Sequence, residues 1–227
     1  MTDESLARAG RRTATGTLKP WLVAACRSFG ALLSRSVFRL EVRGSELVPA
    51  TEPVLLAGNH TGLLDGPLVF LLAPRPAVFL TKAELFTGPL ARALGWLGQV
   101  PVHRGQADRA ALKLGLAHLA GGGALGVFPE GSRGAGELEQ ITHGLAYLAL
   151  RSGAPVVPIA VLGTAAALPR GRRLPIWRAP VMVVFGPPVE LSVVGDPRAR
   201  RTVAVAAEQL RLALLAHLRS AQGERQQ

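Results

Sequence analysis

The sequence predicts an α/β protein, one domain with a mostly parallel central sheet flanked by helices and preceded by an amphipathic N-terminal helix. Three observations lead there. Between residues 38 and 190, apolar runs of strand length alternate with segments of helical period, the pattern of βαβ units. The chain has 227 residues, 48% of them hydrophobic, which suffices for one domain-sized core. A single cysteine, Cys26, excludes a disulfide framework, and no Cys/His cluster has the spacing of a metal site.

Taken in order, residues 1 to about 16 are polar, and Leu18 to Val37 carry apolar residues at helical spacing between Arg27, Ser34 and Arg35. Strands are expected at Phe38–Arg43, Val54–Gly58, Ala77–Thr81, Val100–His103, Gly123–Phe128, Val156–Leu162 and Val181–Phe185. Pro158 lacks an N–H and implies a bulge or an edge in the sixth. Helices are expected at Gly66–Leu72, Glu84–Leu97, Ala107–Leu119, Leu138–Arg151 and Arg200–Ser220. The organisation reads as a basic N-terminal segment (1–37), a core (38–190) and a C-terminal helix with its tail (191–227).

Charge and hydropathy narrow the partners. A net charge of +11 and a pI near 11.5 accompany a positive mean hydropathy of +0.28. Basic proteins that bind nucleic acid are usually polar; a basic and greasy chain suits an anionic membrane surface. Aromatic residues are 5% and not interleaved with arginine, so stacking platforms for single strands are poorly supplied and nucleic acid is not the expected partner. No apolar run reaches the about 18 residues of a spanning helix, and the first twenty residues lack signal-peptide order. A peripheral protein on the cytoplasmic face of a membrane is the expectation. Residues 1–43 hold eight Arg/Lys against three acids, and Arg170, Arg172, Arg173 and Arg178 surround Leu174–Trp177. Each reads either as lipid-facing or as a solvated basic face, and the second also as a loop with Trp177 packed in the core.

Three strand ends carry the chemistry. The first is Gly58-Asn59-His60-Thr61-Gly62-Leu63-Leu64-Asp65-Gly66. In one continuous helix, residues five apart point about 140° from each other. If His60 ends the strand loop and Asp65 opens the helix, the turn brings them together, so that the carboxylate fixes the imidazole tautomer and frees the other nitrogen as a base. The alternative is a loop histidine followed by a capping aspartate. The second is Gly98-Gln99-Val100-Pro101-Val102-His103-Arg104, which delivers Arg104 to the same end of the sheet. His103 lacks an acidic partner at useful spacing and reads as structural. The third is Phe128-Pro129-Glu130-Gly131-Ser132-Arg133, where glycine permits close approach and Ser132 and Arg133 offer donors suited to phosphate, or else a plain strand-to-helix turn with a surface ion pair.

The order Asn-His-x4-Asp, Gly-x5-Arg, Phe-Pro-Glu-Gly-Ser-Arg and Val-Val-Pro-Ile closely resembles the glycerolipid acyltransferase family that includes 1-acylglycerol-3-phosphate acyltransferases, over about residues 38 to 190. The resemblance implies His60 as base and Asp65 as its orienting partner. It assigns Arg104, Glu130, Gly131, Ser132 and Arg133 to the phosphate and glycerol of a lysophospholipid acceptor, and Val157, Pro158 and Ile159 to the acyl side. It implies an acyl-CoA or acyl carrier protein thioester as co-substrate and neither metal nor cofactor. Where many members carry Phe-Lys-x-Gly, this chain has Ile141-Thr142-His143-Gly144, which leaves acceptors such as a lyso-ornithine lipid or a glycolipid open. The other alternative is a non-enzymatic basic module for membranes or nucleic acid. Backbone N–H groups near Gly62 or Gly131 are the candidate oxyanion donors. Cys26 is expected in the core or facing lipid.

Overall fold

The computed structural model describes residues 20–103, 108–131, 136–193 and 195–226. The order of elements is α1 (Pro20–Val37), β1 (Arg39–Arg43), β2 (Val54–Gly58), α2 (Asp65–Leu72), β3 (Ala77–Lys82), α3 (Gly88–Trp96), β4 (Val100–Val102), α4 (Arg109–Ala120), β5 (Ala124–Val127), α5 (His143–Ser152), β6 (Val156–Leu162), α6 (Thr164–Ala167), β7 (Pro180–Phe185) and α7 (Arg200–Gln226). Every expected strand is present within two residues of its expected ends.

The seven strands form one sheet in the order β1-β7-β6-β2-β5-β3-β4. All neighbours are parallel except β6 and β7, so β1 and β7 run against the other five. The central strands are covered on both faces, which is why they read as continuous apolar runs rather than alternating ones. In β2, Leu55 and Ala57 point into a core shared with α4, α5 and α7, while Val54 and Leu56 point into one shared with α1 and α2. α7 buries Val203, Ala206, Ala207, Leu210, Leu214, Leu218 and Ala221, a stripe at helical spacing. Each buried leucine of that stripe contributes about 1.5–3 kcal/mol.

Pro158 lies in an interior strand, so the edge alternative fails and the bulge is what occurs. Val156 faces Val189 and Ile159 faces Phe185, three residues along β6 against four on the returning chain. The extra residue breaks the ladder opposite Pro158, where its missing N–H costs nothing, and the Pro158 carbonyl still accepts from Gly186 N at 2.8 Å.

Two expectations need correction. The fifth strand is not followed at once by a helix from Leu138: Leu138 has φ of 53° and is buried, and α5 begins at His143. Burial of its side chain among α4, α5 and α7 holds Leu138 in a conformation that helical spacing cannot reveal. The helix expected at Glu84–Leu97 starts later: Ala83–Leu85 form a single 3-10 turn, and α3 runs Gly88–Trp96. In α1, two polar residues turn inward and apolar ones outward. Arg27 and Ser34 are buried, whereas Trp21, Phe29, Leu32 and Leu33 are exposed, Phe29 by 70%. The Arg27 guanidinium donates to the carbonyls of Phe70 (2.9 Å) and Ala73 at the C-terminal end of α2, where a cation meets the negative end of the helix.

Candidate active site

The site forms where β2 ends. Asn59 is buried, and its side-chain amide donates to the Val161 carbonyl (3.0 Å) while its oxygen accepts from Val161 N (2.8 Å). This clamp to β6 stops the strand and sends His60 out of the sheet. Asp65 is the first residue of α2, as the turn required, and lies at the positive end of that helix. His60 Nδ1–H donates to Asp65 Oδ2 at 2.9 Å, with side-chain exposures of 12% and 0%. The same oxygen accepts from Thr61 N (2.7 Å) and Gly62 N (2.8 Å). A carboxylate oxygen among donors accepts, so the proton sits on Nδ1 and the Nε2 lone pair is left for chemistry. His60 Nε2 has no hydrogen-bond partner among the described residues.

Two further residues hold the ring. Phe128, at the end of β5, stacks on the His60 imidazole with centroids 4.5 Å apart. Glu130 Oε1 accepts from the His60 backbone N–H at 3.0 Å. Burial pushes the Glu130 carboxyl up from its ordinary range, with the Asp65 charge adding to the rise and the His60 N–H opposing it.

The remaining Asp65 oxygen, Oδ1, accepts from the Thr164 hydroxyl, which is fully buried at the start of α6. Because that hydrogen is committed, Thr61 Oγ1 donates to Thr164 Oγ1 at 3.2 Å. Thr164 escaped the sequence reading: it lies 99 residues from Asp65 and in none of the four motifs. Gly62 is required here, since a Cβ would come within 2.9 Å of Thr164 Oγ1.

The structure thus brings His60, Asp65 and Glu130 together. Gly131 adjoins them and lines a cavity of about 1140 Å³ on the α4, α5 and α7 side of the sheet, together with Thr142, His143 and Gly144. Arg104, Ser132 and Arg133 lie outside the described residues. Val157, Pro158 and Ile159 are buried in β6 beside β2 and do not line the cavity. Of the N–H groups in the two stretches expected to supply oxyanion donors, those of Gly62 and Gly131 themselves are engaged elsewhere, Gly62 N with Asp65 and Gly131 N with the Phe128 carbonyl at 3.2 Å. His103 is exposed and lines the same cavity, and its backbone N–H donates to Asp108 Oδ2 at 2.9 Å. Cys26 is exposed on α1.

A buried carboxylate holding a histidine at the end of a strand, with a glutamate on the histidine's main chain, is an arrangement that can do acid–base work. The family model described as Acyltransferase matches residues 39–162, which contain His60, Asp65, Phe128 and Glu130. The chain belongs to this family. A lyso-ornithine lipid O-acyltransferase of Pseudomonas aeruginosa is 39% identical over 127 residues, covering 53% of this chain and 47% of the relative. The chloroplastic 1-acyl-sn-glycerol-3-phosphate acyltransferase of Brassica napus is 28% identical over 159 residues, covering 67% and 45%. This acyltransferase-family chain therefore spans about half the length of the curated relatives it matches. The crystal structure of the 1-acyl-sn-glycerophosphate acyltransferase from Thermotoga maritima shares its fold, with a TM-score of 0.63 at 24% identity over 86% of this chain and 80% of the other.

Proposed function

We propose that this acyltransferase-family chain moves a fatty acyl group from a thioester to the hydroxyl of a lysophospholipid, in the simplest case 1-acylglycerol-3-phosphate. The observation that carries the reading is the His60–Asp65 pair, which leaves Nε2 without a hydrogen-bond partner among the described residues, next to Phe128, a ring that stacks on His60 and also lines a cavity rimmed by cations. His60 Nε2 takes the hydroxyl proton as the oxygen attacks the thioester carbonyl, an effect worth about 10²–10⁴-fold. The tetrahedral intermediate collapses, the carbon–sulfur bond breaks, and the imidazolium returns the proton to the departing thiolate. No covalent enzyme intermediate is needed, because the histidine deprotonates the acceptor and a thiolate leaves readily. Glu130 fixes the His60 main chain; Arg104, Ser132 and Arg133 hold the acceptor phosphate; Val157, Pro158 and Ile159 support the acyl side from the strand beside β2.

A second acceptor, a lyso-ornithine lipid, is favoured by the 39% identity to an enzyme of that name. A zwitterionic head gains less than a phosphate monoester from a basic cavity rim. Purified protein, an acyl thioester and a panel of lysolipids separate the two. Acylation of lysophosphatidate at least tenfold faster than of lyso-ornithine lipid, abolished in His60→Ala, is expected. Equal transfer by His60→Ala removes the base assignment, and a preference for the ornithine lipid removes the acceptor assignment.

The lipid substrate is met at a membrane. The outward apolar face of α1 and the loop bearing Leu174 (74% exposed) and Trp177 (68%) are joined by a hydrogen bond from Arg178 N to the Val37 carbonyl at 2.7 Å. Exposed rings and aliphatics flanked by arginine suit the headgroup layer of an anionic bilayer, such as the cytoplasmic face of a cell membrane. No helix of the described residues is long and apolar enough to cross a membrane. Co-sedimentation with anionic vesicles, weakened by Phe29→Glu and Trp177→Glu, tests this; undiminished binding in both overturns it.

A further inference from the structure

α3 contributes no buried residue to the core, although it is nine residues long and largely apolar. An isolated helix of that length is marginal in water, and most helical stability in proteins comes from an apolar face laid against the body. In α3 the apolar face points outward. Pro89, Leu90, Ala93 and Trp96 are spaced to share one side of the helix, and all are exposed, Leu90 by 49% and Trp96 by 54%, with Arg92 beside them. Leu85, in the turn before the helix, is 38% exposed as well. A contiguous apolar stripe of this kind marks a surface that another body covers.

The topology places the stripe on the α1 side of the sheet. The β2-α2-β3 and β3-α3-β4 connections step across the sheet in the same direction, so right-handed crossovers put α2 and α3 on one face. Leu97, just after α3, packs against the core that α1 and α2 share with the sheet. The loop bearing Leu174 and Trp177 leads into β7, next to the β1 edge, whereas α3 leads into β4 at the other edge. With neighbouring strands about 4.8 Å apart, β7 and β4 are about 25 Å apart. His60 follows β2, the middle strand, between them.

Charge selects the occupant. Residues 20–37, 85–97 and 168–178 contain no Asp or Glu, and Arg35, Arg92, Arg170, Arg172, Arg173 and Arg178 are exposed among them. A second copy docked through the same face would set cations against cations. A folded protein partner needs one contiguous patch of matching shape, and these apolar patches are divided between the two edges of the sheet. An anionic bilayer offers apolar depth beneath a negative layer over any span. Tryptophan beside arginine suits that boundary, since one is apolar with a polar tip and the other meets the phosphates.

We infer that α3 is a membrane-docking helix whose Leu90, Ala93 and Trp96 enter the headgroup layer of an anionic bilayer, so that lipid holds the sheet at both edges with His60 between them. The inference rests on the membrane reading of α1 and the 174–177 loop, and its test fails separately from that reading. The tryptophans are Trp21, Trp96 and Trp177, so the full chain carrying Trp21→Phe and Trp177→Phe reports on α3 alone. With vesicles of phosphatidylglycerol and phosphatidylcholine, Trp96 emission is expected to shift to the blue and to be quenched by lipids brominated near the head of the acyl chain. Leu90→Gln with Ala93→Gln is expected to weaken co-sedimentation with these vesicles at least about threefold, the loss from withholding about half a leucine side chain from an apolar medium. The melting temperature without lipid is expected to stay unchanged in that variant, because neither side chain is buried. Arg92→Gln is expected to weaken binding to the anionic vesicles and not to phosphatidylcholine alone. Vesicles that sediment the protein while Trp96 is neither shifted nor quenched overturn the inference and leave the docking of α1 and the loop standing. A Leu90/Ala93 variant that binds vesicles like the parent, or that melts lower without lipid, overturns it too. So does a protein that sediments as a dimer with Trp96 already shielded from iodide in the absence of vesicles. Quenching of Trp96 by brominated lipid, with undiminished binding by Phe29→Glu and Trp177→Glu, leaves α3 as a docking helix and removes the reading of α1 and the loop.

Discussion

Thr164→Val isolates the contact that sequence spacing could not show. Valine has nearly the shape of threonine, so the substitution removes the hydroxyl donor and keeps the volume. The donor serves Asp65 Oδ1 in a site with no solvent exposure, and no other described group replaces it. A hydrogen bond to a charged group contributes about 1.5–3 kcal/mol, and losing it leaves a buried carboxylate oxygen unsatisfied. The expected loss of unfolding free energy is therefore about 1.5–3 kcal/mol in urea titration, or roughly 3–12 °C in melting temperature for a domain of this size. Because Asp65 holds the His60 ring, turnover falls as well, while Thr164→Ser keeps the donor and recovers most of both. In an Asp65→Asn background, the charged acceptor is gone and the cost of Thr164→Val should shrink by about 1 kcal/mol, the coupling of a contacting pair. If Thr164→Val is as stable and active as the parent, or costs as much in the Asp65→Asn background as in the parent, the positioning argument is wrong.

Other outcomes follow from burial and charge. Glu130 ionises with more difficulty folded than unfolded, so its contribution is full below its ordinary value of about 4.5 and is lost as pH rises through the raised folded value. Glu130→Gln keeps an acceptor for His60 N–H and should remove that decline; parallel stability curves for the two proteins contradict it. Burial pushes His118 below its ordinary 6.5, helped by nearby Arg75 and opposed by its bond to the Ala124 carbonyl. Its contribution is present above 6.5 and is lost as pH falls below that toward the folded value, so His118→Gln should flatten this acid limb in pH-dependent denaturation. Arg27→Met removes both bonds from α1 to the end of α2 and should lower stability by about 1.5–3 kcal/mol; an unchanged denaturation midpoint shows that α1 is held without them.

The strands were legible because burial on both faces demands unbroken apolar runs such as Val54–Ala57 and Val156–Leu162, and a local pattern records that demand. The His60–Asp65 pair was legible because its two residues lie within one short turn between a strand and a helix. The start of α5 was not legible, since Leu138 satisfies helical spacing while tertiary burial holds it at φ of 53°. What holds α1 was hidden as well, because a pattern of apolar and charged positions does not name the groups its buried side meets. There the side with Arg27 turns inward, toward carbonyls supplied by another helix.

By itself, then, the sequence determined the α/β class, the meeting of His60 with Asp65, and a chain both basic and apolar. Each depends on residues near one another in the chain or on summed composition. Only the tertiary structure decided that Thr164 completes the carboxylate's hydrogen bonds, that Gly62 and Gly131 have no N–H to spare, and that the arginines of α7 face the cavity of α4 and α5. The reason is distance: such contacts join residues tens to a hundred positions apart, and no local periodicity encodes which side chains the packed sheet brings within hydrogen-bonding reach.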